Sequence, residues 1–257
     1  MSYRVTVRFY EELNDFLRRD CRKRDIDFSF DGRRSVKDLV ESFGVPHVEV
    51  DLVLVNGESV GFDCIVADGD RISVYPVFES LDIRNVTRLR PEPLRDARFV
   101  LDVHLRKLAR RLRLLGFDTV FDERLDDPDL AEISSRENRI LLTRDRGLLK
   151  RRIVTRGLII RNTDPVLQIG EVLDRLDLRA RCRPFTRCIE CNGPIGPLPA
   201  DTEIFAAVKN TIPEGVLAWC TEYFHCTACG KVYWKGSHFE KLERIVSAIL
   251  GPGAARD

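Results

Sequence analysis

RFVLDVHLRKLARRLRLLG, residues 98–116, joins a strand, an acid and a helix without an intervening loop. RFVLD has the short apolar run of a buried strand and closes on Asp102. Leu105, Leu108, Leu112 and Leu115 then recur at helical spacing, and Gly116 supplies the stop. Strand, acid and helix form the repeating unit of a parallel sheet covered by helices. The unit recurs downstream. FDTVFD predicts a second strand, and DPDLAEISSREN predicts a helix capped by Asp127 with Pro128 in the first helical position. ILLT at 140–143 and LIIRN at 158–162 predict two more strands, and a last helix runs from Pro165 to about Leu176 behind a cap at Asp164. Residues 97–181 therefore read as a parallel α/β domain.

Upstream the pattern differs. In YRVTVRF, Tyr3, Val5, Val7 and Phe9 alternate onto one face of a strand. ELNDFLRR predicts a helical stretch on Leu13, Phe16 and Leu17, DIDFSF a strand, and VKDLVESFG a helix started by Ser35. Further strands are expected at DLVLVNG and DRISVYPVF, with turns at Asn56-Gly57 and Gly69-Asp70. Residues 1–82 thus predict a β-grasp-like α+β domain, and RPEPLRD marks 83–96 as a linker. Residues 182–257 form the third segment.

The net charge of +1 conceals an uneven distribution. Residues 1–82 hold 11 basic and 17 acidic side chains, residues 83–181 hold 23 and 16, and residues 182–257 hold 8 of each. A basic middle segment suits a polyanion, although a solvated arginine-rich surface explains the same count. MSYRVTVRFY lacks the features of a signal peptide and no apolar run reaches 18 residues, so a soluble cytoplasmic protein without a membrane partner is expected.

In a parallel sheet, ligands bind at the carboxyl ends of the strands. Asp102, Asp127, Asp145 and Asp164 fall at those ends or at the adjacent helix starts. Each alone is explained as a helix cap. Together they suggest a rim of carboxylates, which stay ionised side by side chiefly when a cation sits among them. Asp102, Asp127 and Asp145 would hold magnesium or manganese, both of which favour oxygen ligands. Arg144 and Arg146 flank Asp145, with Lys150, Arg151 and Arg152 close behind, so the same rim offers Arg144, Arg146 and Arg151 as phosphate contacts. His104 reads as a phosphate contact, a proton shuttle or a plain surface residue. Arg106, Arg110 and Arg113 read as the solvated face of their helix, with Arg106 also a candidate RNA contact.

Cys188-x-x-Cys191 and Cys226-x-x-Cys229 lie 34 residues apart, with Gly193 and Gly230 just after the pairs. This is the spacing of two knuckles that aim four thiolates at one structural zinc. Lys231, Trp234 and Lys235 follow the second knuckle, either as an RNA clamp or as the core and rim of a small ribbon.

FVLDVHLRKLARRLRLLGFDT, ILLTRDRGLL, RCIECNGPI and FHCTACGKVYWKGSHF occur in an order that resembles the ribonuclease domain at the C-terminal end of the mutator-seven exonuclease family, a PIN-like nuclease with a zinc ribbon. The resemblance spans about residues 97–240. It implies metal-dependent RNA hydrolysis, with Asp102, Asp127 and Asp145 in the family's acidic positions and Asp164 as a fourth catalytic acid. Val103 and His104 depart from the residues that commonly follow the first acid. VTVRFYEELNDFL, VKDLVESFGVPHVEVDLVLVNGESV and DGDRISVYPVFES resemble the ubiquitin-like domain that precedes this nuclease in some bacterial proteins, itself similar to small sulfur carriers. The carriers' Gly-Gly ending is replaced by YPVFES, so a protein-docking or intramolecular role is expected instead. The rival readings are a noncatalytic RNA-binding or ribosome-associated module and a protein-interaction adaptor.

Overall fold

A computed structural model describes residues 2–76, 87–89 and 96–251. The expected linker at 83–96 lies outside them except for 87–89 and 96. Along the chain run β1 (Ser2–Phe9), β2 (Ile26–Asp31), α1 (Val36–Ser42), β3 (Val50–Val55), β4 (Glu58–Ser59) and β5 (Arg71–Pro76). Next come β6 (Arg98–Leu101), α2 (Arg106–Leu114), β7 (Asp118–Val120), α3 (Asp127–Glu137), β8 (Ile140–Thr143), α4 (Arg146–Leu149), β9 (Gly157–Ile159) and α5 (Pro165–Arg175). The last stretch holds β10 (Ile195–Pro197), α6 (Glu203–Val208), α7 (Glu214–Leu217), β11 (Tyr223–Cys226), β12 (Val232–Trp234) and α8 (Ser237–Leu250). No helix among the described residues is long and apolar enough to cross a membrane. Contacts divide the chain into two compact units, Met1–His104 with Leu125–Ile160, and Leu105–Arg124 with Arg161–Asp257. Each unit draws on more than one of the segments delimited from the sequence.

The first unit begins with a mixed five-stranded sheet in the order β2-β1-β5-β3-β4. β1 pairs antiparallel with β2, Val5 opposite Phe28, and parallel with β5, Val7 opposite Ile72. Val5, Val7 and Phe9 are buried as their alternation requires, and Leu39 and Val40 of α1 are buried as well. α1 starts on a reciprocal cap, because the Ser35 hydroxyl accepts the Asp38 N–H while the Asp38 carboxylate faces the Ser35 N–H. The β3–β4 hairpin turns at Asn56 and Gly57, both at positive φ. This is the expected β-grasp arrangement. The helical stretch expected at ELNDFLRR is a 3-10 helix, Glu11–Phe16. The buried Asn14 amide donates to the Phe9 and Glu11 carbonyls at 3.0 Å each, which favours a tight turn over a regular helix. Leu13, Phe16 and Leu17 are buried all the same.

The same unit contains parallel strands β6, β8 and β9, with Phe99 opposite Ile140 and Leu141 opposite Gly157. Phe99, Val100, Leu101, Leu141 and Leu142 are at 0 % exposure, so continuous apolar runs rather than alternation mark these strands. α3 begins one residue earlier than the sequence suggested. Asp126, not Asp127, is its cap, accepting the Asp129 N–H at 3.0 Å while Asp129 reaches back to the Asp126 N–H. The reciprocal Asp-x-x-Asp cap satisfies two backbone donors, which a cap at Asp127 would forgo.

In the second unit α2 packs against α5, and β10-β11-β12 form an antiparallel ribbon over Leu198, Phe205, Ile212 and Tyr223. Gly116 ends α2 at φ +93, and any Cβ there would meet the Arg183 carbonyl oxygen at 2.1 Å. Arg113, expected on a solvated face, is buried instead, because its Nε donates to the Thr119 carbonyl at 3.0 Å. Asp164 caps α5 as expected, accepting from the Val166 and Leu167 N–H groups.

Candidate active site and metal centre

β6 and β8 end side by side, and their ends build one wall of a cleft of about 820 Å³ within the first unit. The Asp102 N–H extends the ladder to the Leu142 carbonyl, which fixes the backbone of the first acid. The Thr143 hydroxyl, fully buried, donates to Asp102 Oδ2 at 2.8 Å and accepts the Asp145 N–H at 2.9 Å. One hydroxyl therefore orients both residues. Asp145 Oδ1 accepts the Gly147 N–H at 2.6 Å and caps α4. Asp127 follows the cap of α3 and has no side-chain partner among the described residues.

Asp102, Asp126, Asp127 and Asp145 line this cleft together with His104, Arg144 and Arg151. Arg144 and Arg151 are exposed and have no carboxylate partner among the described residues. The sequence reading missed Asp126, whose signal was the acid three residues ahead at Asp129. Asp164 is the α5 cap of the second unit and is not among the lining residues.

The other basic candidates are engaged. Arg146 sits over the Phe16 ring, 5.1 Å from its centre. Arg106 bonds Glu123 at 2.6 Å, Lys231 pairs with Glu190 at 3.3 Å, and Lys235 pairs with Glu222 at 3.1 Å. Trp234 packs on the ribbon core. Of the two readings of Lys231, Trp234 and Lys235, these contacts favour the core and rim of a ribbon.

The donor set of the cleft is hard oxygen. Among the described residues its carboxylates do not draw together as the cysteines do, and oxygen donors of this kind suit a hard ion that keeps part of its water shell.

The four cysteines form a tighter group. Cys188, Cys191, Cys226 and Cys229 bring their sulfurs within 4.8 Å of one another. Cys191–Cys226 and Cys188–Cys229 are 3.4 and 3.8 Å apart, close to the roughly 3.8 Å edge of a tetrahedron with zinc–sulfur bonds of about 2.3 Å. The knuckles close on the Cys188 N–H donated to Gly193 and the Cys226 N–H donated to Lys231. A Cβ on Gly193 would lie 2.8 Å from the Cys226 sulfur, so the first knuckle excludes a side chain there. Arg113 donates to the Ile189 and Glu190 carbonyls and ties the first knuckle to α2. Burial pushes the Cys191 thiol up to about 12. Burial acts on Cys188 as well, but hydrogen bonds from Tyr233 and the knuckle backbone outweigh it and hold that thiol at about 7. Without a cation the cluster accommodates one thiolate far more readily than several. A closed set of four sulfurs could hold a structural zinc.

A family model described as Mut7-C RNAse domain matches residues 97–246. A second, described as Mut7-C ubiquitin, matches residues 2–82. Compared with curated proteins, the chain finds no match.

Proposed function

The chain belongs to the Mut7-C RNAse domain family, and from that membership we propose that it is a metal-dependent ribonuclease of the PIN-like type acting in the cleft of Asp102, Asp127 and Asp145. The observation that carries the reading is the composition of that cleft: Asp102, Asp126, Asp127 and Asp145 line it beside Arg144 and Arg151, which have no carboxylate partner among the described residues. Asp102, Asp127 and Asp145 would hold magnesium or manganese, with Asp126 at their edge. Bound there, such an ion supplies a water of lowered pKa and offsets charge growing on the phosphoryl oxygens.

The remaining work falls to the chain. Thr143 keeps the Asp102 carboxylate in one orientation and fixes the Asp145 backbone. Arg144 and Arg151 hold the RNA backbone, and His104 passes a proton at the leaving oxygen. A zinc held by Cys188, Cys191, Cys226 and Cys229 would be structural, because four protein ligands leave no open position. Paired thiols kept available for metal suit a reducing cytoplasm. A partner protein for the acidic N-terminal domain is part of the same reading.

A second reading, an RNA-binding module without catalysis, is favoured by the capping bonds of Asp145 and Asp164, which by themselves explain why those two acids stand at helix starts. One experiment separates the two. The purified chain is incubated with RNA and DNA in manganese, magnesium or EDTA, beside Asp127→Asn and Asp145→Asn. RNA cleavage that needs the metal and falls by about 100-fold or more in each variant is the expected result. RNA retained but uncut supports the binding module, and equal cleavage by the variants removes the cleft from the mechanism.

A further inference from the structure

The Asp145–Val154 segment faces two ways. Asp145 and Arg151 line the cleft, whereas Arg146, Lys150 and Val154 meet helical segments of the β-grasp domain. Arg146 stacks over Phe16, and the Lys150 ammonium donates to the Glu41 carbonyl at 2.9 Å. His47 completes the grip. Its Nε2 faces the Val154 carbonyl at 2.9 Å and its Nδ1 faces Glu41 Oε1 at 2.7 Å, with the ring buried against the edge of Phe62.

Just beyond, the fully buried Glu49 accepts the Ile159 N–H of β9 at 2.6 Å. Gly157 lies close-packed at the same seam: a Cβ there would lie 2.6 Å from the Leu149 side-chain end and 3.3 Å from Val48. β9 is the outer strand of its sheet, and Glu49 satisfies a backbone donor that an edge strand leaves open.

We propose that the N-terminal β-grasp domain is an in-cis clamp: through His47, Glu41 and Glu49 it positions the Asp145–Val154 segment, and so sets Asp145 and Arg151 in the cleft. The physical basis is the weakness of the segment by itself. α4 spans four residues, too few to persist without tertiary support. Its cap is Asp145, the same side chain that faces the cleft, so a loosened α4 carries the acid with it. Two basic residues of the segment, Arg146 and Lys150, make contacts with the clamp. The proposal rests on the ribonuclease reading only for its effect on cleavage.

The test uses the full chain with His47→Phe, which keeps the ring packing and removes both hydrogen bonds, and His47→Gln, whose amide nitrogen can still reach the Val154 carbonyl. Amide hydrogen exchange is followed peptide by peptide, and the manganese concentration giving half-maximal RNA cleavage is measured alongside. In His47→Phe, exchange over 145–154 should rise by about tenfold, the scale of one buried hydrogen bond, while β1 and β5 stay protected. The manganese requirement should rise with it, and His47→Gln should restore both towards the parent. Unchanged exchange over 145–154 overturns the clamp, as does a rise spread evenly over the chain, which marks a merely stabilising histidine. If the parent chain cleaves no RNA the ribonuclease reading fails, and the exchange pattern still decides the clamp.

Discussion

The two candidate metal sites of this chain are opposites. The cysteine group is closed: four sulfurs within 4.8 Å, two of them buried, with a glycine that admits no side chain at the first knuckle. The acidic cleft is open: its carboxylates line about 820 Å³, and Asp127 among them has no hydrogen-bond partner for its side chain among the described residues, beside arginines exposed to solvent. A closed soft-ligand set holds an ion and keeps water out, which stabilises a small ribbon. An open hard-ligand set leaves room for water and a phosphodiester, which chemistry requires.

Three changes sharpen or break that contrast. The largest effect is expected at Cys226→Ser. Structural zinc in small domains contributes on the order of 10 kcal/mol, so the variant should lose its bound zinc and the ordered ribbon core around Tyr223 and Trp234. Metal analysis and near-ultraviolet circular dichroism would show this, and a variant retaining both would end the structural-zinc assignment.

Thr143→Val comes next. It keeps the volume but removes the hydroxyl that joins Asp102 to the Asp145 backbone, so RNA cleavage should drop by roughly 10- to 100-fold, the scale for groups that orient metal ligands. Activity within twofold of the parent would mean the cleft does not depend on that bridge. Arg151→Ala is the mildest. Retention of RNA should weaken evenly across sequences, and the slope of log affinity against log salt should shrink by about one unit. An unchanged slope would show that Arg151 meets no phosphate.

How much could be read in advance divides by distance along the chain. RFVLD, ILLT and the helix after RFVLD follow from apolar runs and spacing within a dozen or so residues, and the structure contains them. The Cys-x-x-Cys knuckles were equally legible, because a turn of a few residues fixes the direction of both thiols. Local competition already blurred the picture at Asp126 and Asp127, where a reciprocal cap shifted the helix start by one residue, and at Asn14, whose amide accompanies a 3-10 form of the expected helical stretch.

The sequence by itself determined the strand, acid and helix order, the β-grasp pattern and the four-cysteine set, since each is written in spacings that the backbone's own periodicity enforces. Only the tertiary structure decided how the arginines and lysines are used. Arg113 is buried on carbonyls of a knuckle, Arg146 lies on Phe16, and Lys150 reaches Glu41 across 109 positions, leaving Arg144 and Arg151 to the cleft. Charge on a long side chain carries no local signature of its partner. Which acceptor it meets is fixed only when distant elements pack.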